Sequence, residues 1–468
     1  MNRLTMKFGG TSLGDAGAIT RAADICARAR ASSDQVLVVV SAMAEVTDML
    51  LRGAHSALDG DQNIASIRGE ISQKHEDVIE QLIREEERAS NLHAELEALM
   101  VLFDQSCQTA SKLGELPPAL LDVIASIGER CSARLFAAVL QEGGLPGTFV
   151  EASNLIVTDD RFQNAAPDMQ RTCEQVRASL VPLLEEGLVP VVTGFMASTP
   201  SGEITTLGRG GSDFSASILG ACVDTDELWI WTDVDGVLTA DPKIVPHARV
   251  IAQLSYSEVS ELSYFGAKVL HPKTIQPIID MGTSVLVKNT FRSDQEGTRI
   301  GAHPNGKNGN IKAVTAIQDL SIVTVEGRGM IGVPGVAART FSAVADAGVS
   351  VLMISQASSE QSISFVVPKD TAAAVRAAVE QEMKQELDRQ DISSVWSLDD
   401  IVIVTAVGAG LRDTPGIAAK IFGSLGEAEI NVFAIAQGSS ECSLSLVVAS
   451  DDAGDAVRTI HDAVVVDA

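Results

Sequence analysis

The chain of 468 residues contains no apolar run long enough to cross a bilayer and no signal-type hydrophobic segment, so a membrane-spanning protein is excluded and a soluble, cytoplasmic one is expected. Positive charge is scarce: 35 Lys and Arg stand against 62 Asp and Glu, a net charge of −27. Such a surface repels phosphate backbones and anionic lipid, so neither nucleic acid nor membrane is an expected partner. Six cysteines, at positions 26, 107, 131, 173, 222 and 442, form no C-x-x-C pair and no ligand cluster. They read as reduced core thiols of a cytosolic protein. The seven histidines are equally scattered, with no H-E-x-x-H; His271 reads as structural. No protein metal cage is visible. The sequence G-x-x-x-x-G-K-[ST] is also missing, which excludes an ordinary P-loop.

Glycine-rich turns are present in its place. Lys7-Phe8-Gly9-Gly10-Thr11-Ser12 lies between a short extended start and a segment, Asp15 to Arg30, with apolar residues at helical intervals. Gly9 and Gly10 lack a Cβ, so the backbone there can approach an oxyanion closely. A helix N-terminus beyond them would favour negative charge, and Lys7 would add a cation. A plain strand-to-helix turn uses the same glycines, so the segment alone leaves both readings open. Leu207-Gly208-Arg209-Gly210-Gly211-Ser212-Asp213 is a second such turn before a small-residue helix, Ser215 to Gly220. Leu228 to Asp241 (LWIWTDVDGVLTAD) is an apolar strand running into three acids and a glycine.

The length implies two or three domains. Val36–Val40, Leu188–Val192, Leu228–Trp231 and Ser284–Val287 are apolar runs separated by helical patterns. That alternation predicts a parallel α/β sheet covered on both faces. Residues 59–116 read as a charged helical excursion, a lid or packing subdomain without chemistry of its own. The stretch 294–310 is polar and glycine-rich, a linker by composition. Beyond it, residues 327–367 align without gaps on 408–448, with eighteen of forty-one positions identical. Such self-similarity indicates duplication. Each copy reads strand, Gly-Pro turn, helix, strand, strand, helix, the βαββαβ pattern. The first copy closes with a strand at about 392–397, and 311–317 is expected to supply the missing edge of the second.

The segments KFGGTS, Ser41–Asp48 (SAMAEVTD), Ile127–Arg130 (IGER), Val191–Phe195 (VVTGF), Thr205–Asp213 (TTLGRGGSD), WTDVDGV and Tyr264–Pro272 (YFGAKVLHP) occur in that order. Together they resemble the aspartate kinases of the amino acid kinase family, and the resemblance continues almost to the last residue. It implies a three-layer α/β kinase domain over 1–293, a linker over 294–310, and two ferredoxin-like ACT modules. The first module would cover 318–398 and the second 311–317 plus 399–468. With no room after residue 468 for a fused dehydrogenase, a monofunctional kinase is expected.

The resemblance also implies a site. Lys7 would neutralise the moving phosphoryl group, helped by Phe8, Gly9 and Gly10. Ser41, Thr47, Glu129, Phe195, Arg209 and Ser212 would line the amino-acid pocket. Arg209 carries a planar fork that fits a carboxylate; Glu129 and Asp213 suit an ammonium or the organisation of the site. Thr232, Asp233, Leu238, Lys243 and Lys268 would meet ATP, with Asp235 and Asp241 as further contacts. Leu238 and Lys243 replace the tyrosine and arginine of many relatives. Mg²⁺ would ride on phosphate oxygens. In the ACT modules, Pro334-Gly335 and Pro415-Gly416 would open effector sites, with Gln356 and Gln437 as threonine contacts. Leu352 and Phe433 stand where lysine-inhibited relatives often carry an acid, so threonine is expected over lysine. A homodimer or homotetramer through the ACT modules is expected. The alternatives are a lysine-regulated kinase, a kinase for another substrate, and a non-catalytic amino-acid sensor.

Overall fold

Apolar runs bounded by turn residues become buried strands here, and their carboxyl ends gather the glycine-rich turns. The computed structural model describes residues 2–59, 63–265, 270, 272–302, 310–331, 333–357, 359–411, 413–437 and 442–465. The chain divides into two units: Met1–Val237, Ala252–Tyr256 and Val269–Pro304 form one, and Leu238–Ile251, Ser257–Lys268 and Asn305–Ala468 the other.

The first unit begins with β1 (Arg3–Phe8), a 3₁₀ turn (Gly10–Leu13), α1 (Ala16–Ser32) and β2 (Gln35–Val40). Four helices follow: α2 (Val46–Leu58), α3 (Ile64–Leu82), α4 (Glu86–Leu113) and α5 (Pro118–Glu142). The chain continues through β3 (Gly147–Val150), α6 (Met169–Glu185), β4 (Val189–Thr193), β5 (Met196–Ser198), β6 (Ile204–Thr206), α7 (Gly211–Cys222) and β7 (Glu227–Thr232). Then come β8 (Gln253–Ser255), α8 (Tyr256–Tyr264), which from Ser257 on belongs to the second unit, α9 (Pro272–Met281), β9 (Ser284–Asn289) and β10 (Thr298–Gly301). The main sheet has eight strands in the order β3-β4-β2-β1-β7-β9-β10-β8. All its pairs are parallel except β9 with β10, as the apolar runs require.

Every residue of β2 is buried. Met6, Phe8, Val36, Val38 and Val40 share one core with Ile19, Leu50, Phe103 and Phe136 from the helices. Each such side chain contributes about 1.5–3 kcal/mol through its burial. Part of the polar stretch 294–310 is strand: Thr298 and Ile300 of β10 are fully buried, and composition alone conceals so short an element. The reading of six free thiols is corrected. Cys173 on α6 and Cys222 at the end of α7 form a disulfide, with Cα atoms 4.7 Å apart. Helices α6 and α7 pack side by side, which brings together residues 49 apart in sequence. Cys26, Cys107 and Cys131 remain free thiols and are buried, and Cys442 is buried as well.

The second unit carries the duplication. Its elements are β11 (Ala313–Glu326), α10 (Val336–Asp346), β12 (Met353–Gln356), β13 (Ser362–Pro368), α11 (Ala372–Glu382), α12 (Lys384–Asp388), β14 (Ser394–Val407), α13 (Ile417–Glu427), β15 (Ala434–Ala436), β16 (Ser443–Ala449) and α14 (Ala453–Val464). Six strands form one sheet in the order β12-β13-β11-β14-β16-β15. The long strands β11 and β14 serve both copies. Ala313–Ile317 pairs with the end of β14, and Leu320–Glu326 with its beginning, across a bulge. Residues 313–317 thus border the strands of the second copy. Helix α14 buries Ala453, Ala456, Val457, Ile460 and Val464, the spacing of one helical face. Among the described residues, no helix is long and apolar enough to cross a membrane.

Candidate active site

At the carboxyl end of β1, the Lys7 side chain is 11 % exposed, and its Nζ lies 2.7 Å from Asp213 Oδ1. Asp213 sits in the first turn of α7. That helix starts at Gly211 because Gly210, at φ 72°, turns the chain left-handed, and no side chain caps it. The Gly211 N–H is committed to Gly208 O at 2.9 Å, which leaves the next N–H groups, of Ser212 and Asp213, available to an anion. A cavity of about 830 Å³ opens at this point. Lys7, Gly10, Ser41, Thr47, Glu129, Phe195, Arg209, Ser212 and Asp213 all line it. Nine residues singled out in the sequence thus converge on one space. Two glycines let its walls pack closely. A Cβ on Gly10 would lie 3.0 Å from Ala42 O, and one on Gly211 would lie 2.7 Å from the Phe195 ring.

The charges in this cavity are unequal in their surroundings. Glu129, on α5, is 4 % exposed, and its Oε2 has no hydrogen-bond partner among the described residues. Burial pushes its carboxyl up to about 8, against the opposing pull of the Ala42 N–H and the Lys7 charge. A buried, partnerless carboxyl oxygen calls for a cationic ligand. Arg209 is exposed on the turn, with its guanidinium in no ion pair among the described residues. The neighbouring Ser132 Oγ donates to Ser41 O at 2.6 Å, which ties α5 to the loop after β2.

Several expected positions are placed differently. Phe8 is a core residue, fully buried against Phe136 and Trp231, so its ring does not reach the cavity. The Gly9 N–H is committed to Trp231 O at 3.1 Å, which leaves the cradle to begin at Gly10. Helix α1 does not directly follow the glycine pair. A 3₁₀ turn intervenes, and Asp15 caps α1 through the Ala18 N–H at 2.8 Å. Two helices that start at the cavity without a side-chain cap are α2 and α7. Thr232 ends β7 and Asp233 follows it, the two joined by a 3.2 Å hydrogen bond. Asp235 is held by Arg292 at 2.6 Å and by the Asn289 side chain at 2.8 Å. These residues do not line the cavity. Leu238, bridged to Val250, and Lys243 and Asp241, joined in a turn, belong to the second unit. Lys268 and His271 lie outside the described residues.

Two contributors were not read from the sequence. Asp122, buried on α5, accepts from the Gln163 N–H, the Thr206 N–H and Thr206 Oγ1 at 2.9, 2.9 and 2.8 Å. It fixes the strand that leads into the Arg209 turn. Burial raises its carboxyl despite these bonds. It precedes Glu129 by seven residues, two helical turns on one face, and that spacing was the available signal. Lys74 on α3 donates to Ala44 O at 2.6 Å and lies 3.0 Å from Glu45 Oε2. It clamps the turn where Glu45 adopts φ 69° ahead of α2. The excursion read as lacking chemistry therefore supports the wall that carries Ser41 and Thr47.

In the second unit the two copies repeat each other closely. Gly335 and Gly416 precede α10 and α13 at φ 94° and 92°, and neither helix has a side-chain cap. A Cβ at such angles costs about 1–2 kcal/mol, which explains the glycines. Pro334 and Pro415 stand directly before them. Gln356 ends β12 and Gln437 follows β15, both exposed.

Comparison with known proteins agrees with this architecture. A model described as the amino acid kinase family matches residues 2–289, and an ACT domain model matches 323–383 and 404–464. The chain is 37% identical over 463 residues to a maize chloroplastic bifunctional aspartokinase/homoserine dehydrogenase 1, covering 97% of this chain and 50% of that protein. It spans about half the length of that relative. It is 30% identical over 465 residues to the lysine-sensitive aspartokinase 3 of Escherichia coli, covering 97% of each. Among solved structures, E. coli aspartokinase III in complex with aspartate and ADP superposes with a TM-score of 0.81 at 27% identity, covering 98% of this chain and 99% of that one. Clostridium acetobutylicum aspartate kinase gives 0.81 at 26%, covering 98% and 100%. The chain belongs to the amino acid kinase family, with a kinase region followed by two ACT domains.

Proposed function

We propose that this chain is an aspartate kinase, which transfers the γ-phosphoryl group of ATP to the side-chain carboxylate of L-aspartate and yields 4-phospho-L-aspartate and ADP. The observation that carries this reading is the partnerless carboxyl oxygen of Glu129, in one cavity with Lys7, Arg209 and the start of α7. An amino acid with two carboxylates answers each of these groups. Its ammonium supplies the cation that Glu129 lacks. Its α-carboxylate takes the Arg209 fork, and its side-chain carboxylate is left towards Lys7.

The chemistry needs little covalent help from the protein. A side-chain oxygen of aspartate attacks the γ-phosphorus, the bond to the β-phosphate oxygen breaks, and ADP leaves. The carboxylate is already ionised at neutral pH, so no base is required. The obstacle is the approach of two anions, which positive charge and positioning overcome. Lys7 neutralises the developing charge, and Asp213 holds its Nζ in place at 2.7 Å. The Gly10 turn and the α7 N-terminus give the phosphate a backbone to rest on. Mg²⁺ belongs to this reading as a phosphate-borne ion that offsets the triphosphate charge. Asp213, Glu45 and Asp48 reach the cavity as separate carboxylates. Such donors suit a hydrated hard cation better than a protein cage.

The ACT domains are proposed to bind threonine, with Gln356 and Gln437 as contacts. The apolar Leu352 and Phe433 four residues earlier support this, since neither offers a partner to a lysine ammonium. Lysine is the second reading, favoured by the name of the lysine-sensitive E. coli relative. The proposal extends to a homodimer or homotetramer formed through these domains, and to a cytoplasmic enzyme feeding lysine, threonine and methionine synthesis. ADP release with Mg-ATP and L-aspartate, glutamate, N-acetylglutamate or a nucleoside monophosphate tests the substrate. Turnover with aspartate alone, suppressed by threonine, is expected; turnover with any other acceptor in its place overturns the reading. Suppression by lysine alone overturns the effector assignment and keeps the kinase.

A further inference from the structure

We propose that His247, His461 and Asp462 form a binding site for a divalent transition-metal ion of the zinc class. His247 lies within the segment closed by the Leu238–Val250 bridge. His461 and Asp462 lie in the last turns of α14. One donor atom from each falls within 4.8 Å of the others. His247 Nε2 is 2.9 Å, and His461 Nδ1 3.3 Å, from Asp462 Oδ1. Tetrahedral ligands on metal bonds of about 2.0–2.2 Å stand about 3.3–3.6 Å apart, so the two distances to Asp462 Oδ1 need change by only a few tenths of an ångström, and the third pair lies within 4.8 Å.

A second observation concerns the ring that is buried. His461 is 6 % exposed, and its Nε2 is 3.0 Å from Thr239 Oγ1. In the tautomer that donates Nε2–H to Thr239, Nδ1 turns a lone pair towards Asp462 and His247. This is the outer hydrogen bond that orients metal-binding imidazoles. Thr239 is itself fixed, accepting from the Arg249 N–H at 3.1 Å. The exposed His247 and Asp462 leave an entry path and a fourth position for water. Two imidazoles and one carboxylate suit Zn²⁺, Co²⁺ or Ni²⁺, whereas Mg²⁺ and Ca²⁺ prefer oxygen donors. An ion here would cross-link the 238–250 segment to α14, residues 215 apart in sequence.

The test is calorimetric titration of the full chain with Zn²⁺ in the presence of millimolar Mg²⁺, together with the absorption spectrum of the Co²⁺ form. One Zn²⁺ per chain is expected, with a raised thermal midpoint and a Co²⁺ spectrum free of thiolate charge transfer. His247→Ala and Asp462→Asn, both at exposed positions, should each weaken binding by about tenfold or more and abolish the thermal shift. No Zn²⁺ binding, binding equal in the wild type and both variants, displacement by Mg²⁺, or a thiolate band from the buried cysteines would each overturn the proposal.

Discussion

Replacing Glu129 by Gln separates what this carboxyl does for the ligand from what it does to the fold. Burial raises the carboxyl from 4.5 to about 8. Above pH 4.5 the unfolded chain has released this proton while the folded chain keeps it. Stability therefore falls as pH rises, until the folded carboxyl ionises near pH 8. Each pH unit in that window costs about 1.4 kcal/mol, so between pH 5 and 8 the wild type should lose about 4 kcal/mol relative to Glu129→Gln. Glutamine does not titrate and fills the same volume. Urea unfolding of both proteins at half-unit pH steps, without ligand, measures the difference directly. Aspartate should reverse the order, since its ammonium pairs with the ionised carboxyl. Its affinity for the wild type should then rise by up to about tenfold per pH unit below pH 8, with proton release, and stay flat for the variant. Parallel unfolding profiles, or wild-type aspartate affinity independent of pH below 8, would refute the placement of Glu129 in a dry, cation-seeking site.

Three further outcomes follow from the same geometry. Lys7→Ala should lower kcat by about a thousandfold while circular dichroism and the thermal midpoint stay near wild type; near-normal turnover would remove Lys7 from the phosphate site. Lys74→Ala frees the Ala44–Glu45 turn and should raise the KM for aspartate by about fivefold, a loss of about 1 kcal/mol, with kcat little changed and partial recovery in Lys74→Arg. An unchanged KM would make Lys74 a surface ion pair only. Gln437→Ala should raise the threonine concentration for half-inhibition by about tenfold, the loss of a hydrogen bond in a buried complex; unchanged inhibition would move the effector site elsewhere.

Much of this molecule is legible in the chain because its strands are buried on both faces. Val36–Val40 and Leu228–Trp231 have no polar face to obscure them, so their runs mark the sheet, and the turn that follows Val40 marks one wall of the cavity. The exact offset of 81 residues between the copies likewise exposes the second unit. What sequence conceals is the use of each backbone donor. Gly9 looks free in KFGG, yet its N–H belongs to Trp231. Asp15 caps α1, so the uncapped helix starts at the cavity are those of α2 and of α7, the latter at the second glycine-rich turn. Lys74 was invisible because an exposed-looking lysine on a charged helix carries no mark of the carbonyl it will meet. The Cys173–Cys222 bond was hidden for a similar reason: 49 residues of sequence separate two helices that pack side by side.

The central claim, transfer of a phosphoryl group to the side-chain carboxylate of aspartate, predicts a specific product. An acyl phosphate is trapped by hydroxylamine as a hydroxamate, whereas a phosphate ester or an unreacted carboxylate is not. The full chain incubated with Mg-ATP, L-aspartate and hydroxylamine should give aspartyl 4-hydroxamate in step with ADP, with both about a thousandfold slower in Lys7→Ala. ADP release without hydroxamate, or hydroxamate formed equally well by Lys7→Ala, would contradict the account.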